Sequence, residues 1–154
     1  MMKKLSIADK DIDTILVLDF GSQYTQLIAR RIREIGVYSE ILPWDISSEK
    51  LQYLNPKGVI LSGGPESVTK TNTPRISNSI FELSVPILGI CYGMQTLAEQ
   101  NDGKVTTSRK KEFGYSKFSI AQESLLFKGI NTKEIEVWMS CLLYTSPSPR
   151  DSIR

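Results

Sequence analysis

The stretch that decides the fold is Val85-Pro-Ile-Leu-Gly-Ile-Cys-Tyr-Gly-Met-Gln95. Its apolar first half predicts a strand, and the residues from Gly93 onward begin a predicted helix. Cys91 lies between two glycines at the turn. This is the cysteine counterpart of the Gly-x-Ser-x-Gly motif, in which a sharp strand-to-helix turn exposes a nucleophile at the carboxyl end of a sheet. The alternative is a structural cysteine with incidental glycines, but the flanking strand and helix favour the nucleophile.

Three predicted strand–helix pairs precede this stretch, and each strand is followed by a break that contains glycine, proline or serine. Four alternating pairs predict an α/β fold, a flavodoxin-like open parallel sheet with helices on both faces. The predicted strands are 14–19, 37–42, 58–62 and 85–90, and the predicted helices are 24–35, 48–54, 73–83 and 93–100.

Two details of the helices are specific enough to test. The first helix carries an apolar stripe at helical spacing, which predicts its buried face, and Gly36 is placed to cap its end. Thr73-Pro74 is the pattern of an N-cap followed by proline at the first helical position, which predicts that the third helix begins there. The apolar stripe consists of Tyr24, Leu27, Ile28, Ile32 and Ile35.

The pattern changes after Lys104. Residues 115–120 alternate and 135–139 form another strand candidate, which predicts an antiparallel extension, and the charge run Arg109–Lys111 is typical of a solvated loop. Residues 141–154 are polar and proline-rich, which predicts a disordered tail or linker. The expected organisation is an N-terminal extension (1–13), a partial domain (14–140) and a non-native tail (141–154), so we expect the fold to be incomplete at the C-terminus.

Composition excludes several classes of function. The 154 residues carry a formal net charge of +2, too weak a balance to indicate a nucleic-acid or membrane partner. No signal peptide and no apolar run of about 18 residues are present, and two cysteines cannot form a disulfide framework, which together predict a cytoplasmic chain. There is no histidine, so no complete Cys-His or Ser-His catalytic set lies within this chain.

Two further segments follow predicted strands and therefore lie at the same edge of the sheet as Cys91. Gly63-Gly64, in Leu61-Ser-Gly-Gly-Pro-Glu66, is either an oxyanion donor facing the thiol or an ordinary tight turn. It is not a phosphate-binding loop, because no Gly-Lys-Ser/Thr follows. Asp19-Phe-Gly-Ser-Gln-Tyr24 lacks the Gly-x-Gly-x-x-Gly dinucleotide pattern, and Asp19 either orients the neighbouring loops or caps the strand and helix ends.

These segments resemble the N-terminal class I glutamine amidotransferase domain of the GMP synthase family, over Thr14–Ser140. That family uses glutamine, XMP and ATP to make GMP in purine biosynthesis. The resemblance implies that this domain hydrolyses glutamine without a cofactor or metal, that ATP and Mg²⁺ belong to a separate ATP-pyrophosphatase domain, and that the full-length protein is a homodimer. The motifs are Asp19–Gln26, Leu61–Ser67, Gly89–Gln95, Glu112–Tyr115 and Val137–Ser140.

The resemblance also implies a role for each candidate site residue. Cys91 is the nucleophile that attacks the side-chain amide of glutamine. The backbone N–H groups of Gly64 and Tyr92 form the oxyanion hole, and Gly63, Gly64 and Gln95 help to hold the glutamine.

The chain departs from the family pattern after Ser140, where the family continues with His-Gly-Asp and, further on, with Phe-His-Pro-Glu, which supplies the catalytic His and Glu. We therefore expect a truncated product without useful glutaminase activity. Two alternatives stay open. One is the glutaminase of anthranilate or aminodeoxychorismate synthase, which has Leu-Gly-His where this chain has Tyr92-Gly-Met94. The other is a non-catalytic flavodoxin-like binding module, which the absence of histidine favours.

Overall fold

The computed structural model describes residues 12–146, and the side chains of that range except those of residues 107–113 and 139–146. The described chain forms two compact units. The first contains the residues up to Val105 together with Thr145 and Ser146, and the second contains Thr106–Tyr144.

The first unit is built on a four-stranded parallel sheet with the strand order β2-β1-β3-β4. This order is that of flavodoxin-like sheets, and the predicted α/β fold class is confirmed. The strands are β1 (Thr14–Asp19), β2 (Tyr38–Pro43), β3 (Gly58–Leu61) and β4 (Ile87–Gly89). The helices are α1 (Thr25–Glu34), α2 (Ser48–Leu54), α3 (Asn78–Glu82) and α4 (Tyr92–Gln100).

The core is centred on β1, which pairs with β2 on one side and with β3 on the other. Leu16, Val17 and Leu18 are all fully buried. Successive side chains of a strand point to opposite faces of the sheet, so three consecutive buried residues mean that both faces are covered. This burial explains why β1 is a continuous apolar run in the sequence rather than an alternating one.

Helix α1 packs with a face that only partly overlaps the predicted apolar stripe. Its buried residues are Thr25 and Ala29, whereas Leu27 and Ile35 are 45% and 77% exposed. A tertiary contact fixes this orientation, because the buried Ser39 hydroxyl of β2 donates a hydrogen bond of 3.0 Å to the Ala29 carbonyl. Of the predicted stripe, Ile28 and Ile32 are half-buried and Tyr24 is exposed.

The sequence predicts where the first helix ends and where the third helix begins, and the structure agrees with only the first of these predictions. Gly36 follows α1 with φ of +83°, as expected of a capping glycine. The prediction that the third helix begins at Thr73-Pro74 is wrong, because α3 begins at Asn78 with Ser77 as its N-cap. The backbone before it is bound to another helix instead: the Gln100 side chain of α4 accepts from the Ile76 N–H and donates to the Ile76 carbonyl, both at 2.9 Å.

A two-stranded antiparallel sheet is formed by β5 (Lys104–Ser119) and β6 (Glu134–Ser146), most of whose residues belong to the second unit, and it confirms the predicted extension. Two local predictions are wrong here. The charge run Arg109–Lys111 lies within β5 rather than in a loop, and residues 141–146, expected to be disordered, belong to β6. The rest of the predicted tail, like the N-terminal extension except Ile12 and Asp13, lies outside the described residues.

Polar pairs cross this small sheet. Lys117 Nζ lies 3.6 Å from a Glu134 oxygen and 3.5 Å from a Glu136 oxygen. A hydrogen bond to Glu136 raises the pKa of the exposed Tyr115 phenol. In the described part of the chain, no helix has the length and apolar character needed to cross a bilayer.

Candidate active site

The candidate site lies where β1, β3 and β4 end. Strand β2 pairs with one edge of β1, and β3 and β4 follow at its other edge. The direction of the strand order therefore reverses between β1 and β3. Open α/β sheets bind their ligands at such a switch point, outside the carboxyl ends of the strands. The loop after β1 begins at Phe20, and the loop after β3 begins at Ser62.

Cys91 occupies a strained turn directly before α4. Its φ and ψ are 51° and −115°, and its side chain is exposed. A residue other than glycine in such a conformation costs about 1–3 kcal/mol, which the surrounding structure must offset. Both flanking glycines are required by contact: a Cβ at Gly89 would lie 2.6 Å from the Met94 backbone, and one at Gly93 would overlap the Leu61 carbonyl oxygen. The strand–turn–helix geometry that the sequence predicts around Cys91 is therefore present.

The Gly63-Gly64 turn lies directly beside Cys91. A Cβ at Gly63 would lie 3.3 Å from Cys91 Cβ and 3.5 Å from the Ser22 hydroxyl oxygen. A Cβ at Gly64 would lie 2.5 Å from the Phe20 carbonyl oxygen. The loops after β1, β3 and β4 thus converge at this glycine pair, and a larger side chain at either position would enter the space between them.

Two backbone donors at this point are left unused by the fold. The neighbouring N–H groups of Ser62, Ile90 and Gly93 each donate to a backbone carbonyl at 3.0 Å. Among residues 12–146, neither the Gly64 N–H nor the Tyr92 N–H has a hydrogen-bond acceptor. Both are consequently available to an oxygen atom of a ligand beside Cys91, which is the kind of donor that an oxyanion requires.

Asp19 and Ser62 hold the two loops in place. Asp19 Oδ1 accepts hydrogen bonds of 2.8 Å from the Gly21 N–H and from the Thr25 hydroxyl, so it joins the loop after β1 to the start of α1. The fully buried Ser62 hydroxyl accepts from the Phe20 N–H at 3.1 Å and donates to the Gly63 carbonyl at 3.0 Å. Sequence reasoning missed Ser62, although a hydroxyl at the end of a buried strand is a usable signal.

Gln95 lies one helical turn after Cys91, and its N–H donates to the Cys91 carbonyl at 3.1 Å. The residue is only 7% exposed, and no group in the described range donates a hydrogen bond to its side-chain oxygen. A buried polar atom without a partner costs about 1–3 kcal/mol, so native proteins retain few of them without a reason. Gln95 therefore offers a hydrogen-bond acceptor beside the strained turn.

The side chain of Tyr92 points into a network that the sequence did not reveal. Tyr92 is buried, and its ring centroid lies 5.4 Å from that of Phe20. Its hydroxyl donates to the Pro74 carbonyl and accepts from the Arg75 guanidinium. No local spacing signals these contacts, because they join residues 17 and 18 positions apart. Within the described residues, no cluster of three or more His, Cys, Asp or Glu side chains could hold a metal ion.

Comparison with known proteins gives a consistent family. The family model for the class-I glutamine amidotransferases matches residues 16–148. The GMP synthase [glutamine-hydrolyzing] of Tolumonas auensis is 56% identical in an alignment of 133 positions that covers 82% of this chain and 25% of that protein. The corresponding Vibrio atlanticus protein is 58% identical over 126 residues, with 82% and 24% covered. The chain thus spans about a quarter of the length of these curated relatives.

Two solved structures superpose on this chain. A protein from Thermoplasma acidophilum that is proposed to be one subunit of a GMP synthase superposes with a TM-score of 0.73 and is 33% identical, covering 91% of this chain and 70% of that one. A glutamine amidotransferase from Thermotoga maritima, 17% identical, shares the fold with a TM-score of 0.66 over 90% and 64% of the two chains. The family match over most of the chain, the related structure and the cysteine turn support one conclusion: this chain belongs to the class-I glutamine amidotransferase family.

Proposed function

We propose that this chain is the glutaminase portion of a GMP synthase, which hydrolyses glutamine to supply ammonia for the ATP-dependent amination of XMP to GMP. The observation that carries the proposal is the exposed, strained Cys91 beside two unused backbone donors, in a chain that resembles GMP synthases. ATP and Mg²⁺ would act in a separate ATP-pyrophosphatase domain, and the whole protein would be a cytoplasmic homodimer without a nucleic-acid or membrane partner.

In the proposed reaction, the Cys91 thiolate attacks the side-chain amide carbon of glutamine. The carbonyl π electrons move onto oxygen, and the N–H groups of Gly64 and Tyr92 donate hydrogen bonds to the resulting oxyanion. One such donor is typically worth about 3–4 kcal/mol of the barrier. The oxyanion then collapses and the C–N bond breaks, while the nitrogen takes up the proton that the Cys91 thiol gave up, so that it leaves as ammonia. Water hydrolyses the thioester to glutamate and regenerates the thiol.

The glutamine would be held by the glycine pair and by Gln95. Gly63 carries no side chain between Cys91 and Ser22, and we place the side-chain amide end of glutamine beside it. The buried, unpartnered oxygen of Gln95 would accept a hydrogen bond from an N–H group of the substrate, which offsets the cost of burying that oxygen.

The 154 residues contain no histidine to take the thiol proton or to protonate the leaving nitrogen. The loss of a general acid–base partner typically costs about 10²–10⁴-fold in rate. We therefore expect glutamate release by this chain to stay at the background rate, measured with a coupled glutamate dehydrogenase assay. Cys91→Ala protein from the same preparation is the control. Release that depends on Cys91 would contradict this prediction.

Binding and attack can be tested without turnover. A chloromethyl ketone analogue of glutamine reacts when the thiolate adds to the ketone carbonyl, which places an oxyanion beside the donors; the sulfur then moves to the neighbouring methylene carbon and displaces chloride, the carbonyl is restored, and a stable thioether remains. We expect it to label Cys91, as located by peptide mass spectrometry, and we expect free glutamine to protect the site while glutamate does not. Cys141→Ala should keep the labelling and Cys91→Ala should lose it. Labelling that glutamine does not prevent would contradict the proposal and favour the non-catalytic binding module.

A further inference from the structure

Arg75 lies in the connection between β3 and α3 and binds that connection to α4. Its Nη2 donates to the Val68 carbonyl at 2.9 Å and lies 2.8 Å from a Glu99 oxygen. Its Nη1 donates to the Tyr92 hydroxyl at 3.1 Å. A planar guanidinium can serve several acceptors in fixed directions, which an ammonium group cannot do. Arg75 thereby fixes both a loop and the side chain that follows Cys91.

The Tyr92 side chain is held along its whole length. Its ring packs against Phe20, the first residue of the loop after β1, and its hydroxyl is held by Arg75 and by the Pro74 carbonyl. The same residue carries one of the two unused backbone N–H groups of the site. The orientation of the side chain and that of the backbone at Tyr92 are therefore coupled through a single Cα.

We propose that Arg75 is a positioning residue for the oxyanion donor: by holding the Tyr92 phenol it fixes the first turn of α4, and with it the Tyr92 N–H, relative to Cys91. The inference rests on the proposed glutaminase function. Displacement of a reacting or stabilising group by about 1 Å can cost about 100-fold in rate, so a small shift of this turn is enough to matter.

If Arg75 only holds the β3–α3 connection against α4, a different result is expected, because other contacts also join this connection to α4. The Gln100 side chain binds both backbone groups of Ile76, and Arg75 also pairs with Glu99. Tyr92→Phe removes only the phenol contacts and keeps the ring packing. Glu99→Gln removes the ion pair and keeps the phenol contacts. If stability of the loop is all that matters, the two variants should have similar effects.

The experiment measures the rate at which two reagents label Cys91 in the Cys141→Ala background, followed by peptide mass spectrometry. The chloromethyl ketone analogue of glutamine carries a carbonyl oxygen that the oxyanion donors can bind, whereas iodoacetamide reports only the exposure and ionisation of the Cys91 thiol. Tyr92→Phe and Arg75→Lys should lower the maximal labelling rate by the ketone about tenfold, with half-saturation and iodoacetamide rates within about twofold of the parent protein. Glu99→Gln should stay within about twofold in all three quantities.

Each outcome of this experiment either supports or overturns the positioning role of Arg75. Unchanged ketone kinetics in Tyr92→Phe would overturn the positioning role while leaving the proposed function intact. An equal loss with both reagents, or an equal loss in Glu99→Gln, would show a structural role only and would also overturn it. A parent protein that the ketone does not label would overturn both proposals. Circular dichroism checks that each variant folds. If Arg75→Lys does not fold, Tyr92→Phe, which deletes one oxygen atom, still tests the positioning role.

Discussion

Gly93→Ala is expected to destabilise the first unit by about 3 kcal/mol or more, at the upper end of the cost of overpacking. The added methyl group would overlap the Leu61 carbonyl oxygen and lie 2.5 Å from Leu61 Cβ. These atoms belong to the buried strand β3, so no flexible side-chain end can move aside. At about 2–4 °C per kcal/mol, the melting temperature should fall by about 10 °C. Thermal and urea unfolding followed by circular dichroism measure the change.

Gly36→Ala is the matched control for this variant. Gly36 has a φ of +83°, but nothing lies within 4 Å of the position that its Cβ would occupy. Alanine there costs only the left-handed conformation, about 1 kcal/mol. If the two variants were equally stable, the close approach of α4 to β3 would not be what requires glycine at Gly93.

The parallel sheet was predictable because burial on both faces leaves a direct mark on the sequence. The strand β1 spans the residues that the apolar run Thr14–Asp19 predicts, and the turn at Cys91 has the geometry expected from its two flanking glycines. Both signals are local: a strand with two buried faces cannot alternate, and a turn that brings two backbones together leaves no room for a Cβ.

Other features depend on contacts between distant residues. The face of α1 that packs includes Ala29, whose carbonyl accepts a hydrogen bond from the Ser39 hydroxyl, while Leu27 and Ile35 of the apolar stripe stay exposed. The start of α3 is delayed because Gln100 binds the backbone of Ile76, 24 residues away. Helical spacing carries no information on either partner.

The features of the candidate site fall into the same two groups, those that the sequence predicts and those that depend on contacts in the packed structure. The positions of Gly63 and Cys91 beside each other follow from a parallel sheet, because loops that leave the carboxyl ends of neighbouring strands must meet. The unpartnered oxygen of Gln95 and the contact between Arg75 and Tyr92 required the packed structure. The roles of these residues in chemistry stay predictions, and the glycine pair provides the sharpest test of them.

Gly64→Ala is expected to lower the maximal rate at which the chloromethyl ketone labels Cys91 by about 100-fold, the loss typical of removing one oxyanion donor. The methyl group would lie 2.5 Å from the Phe20 carbonyl oxygen and 3.2 Å from Phe20 Cβ, so the turn must move away from β1. Gly64 does not have a positive φ, and the effect therefore comes from this contact rather than from backbone strain. The moved turn carries the Gly64 N–H with it.

Gly63→Ala separates this effect from simple crowding. Its methyl group would face side-chain atoms, Cys91 Cβ at 3.3 Å and the Ser22 hydroxyl at 3.5 Å, so it narrows the space for glutamine without displacing the backbone. We expect it to raise the half-saturation concentration of the ketone, whereas Gly64→Ala mainly lowers the maximal rate. Iodoacetamide rates should stay within about twofold of the parent in both variants, because alkylation by that reagent develops no oxyanion. A folded Gly64→Ala protein that the ketone labels at the parent rate would remove the Gly64 N–H from the proposed oxyanion hole.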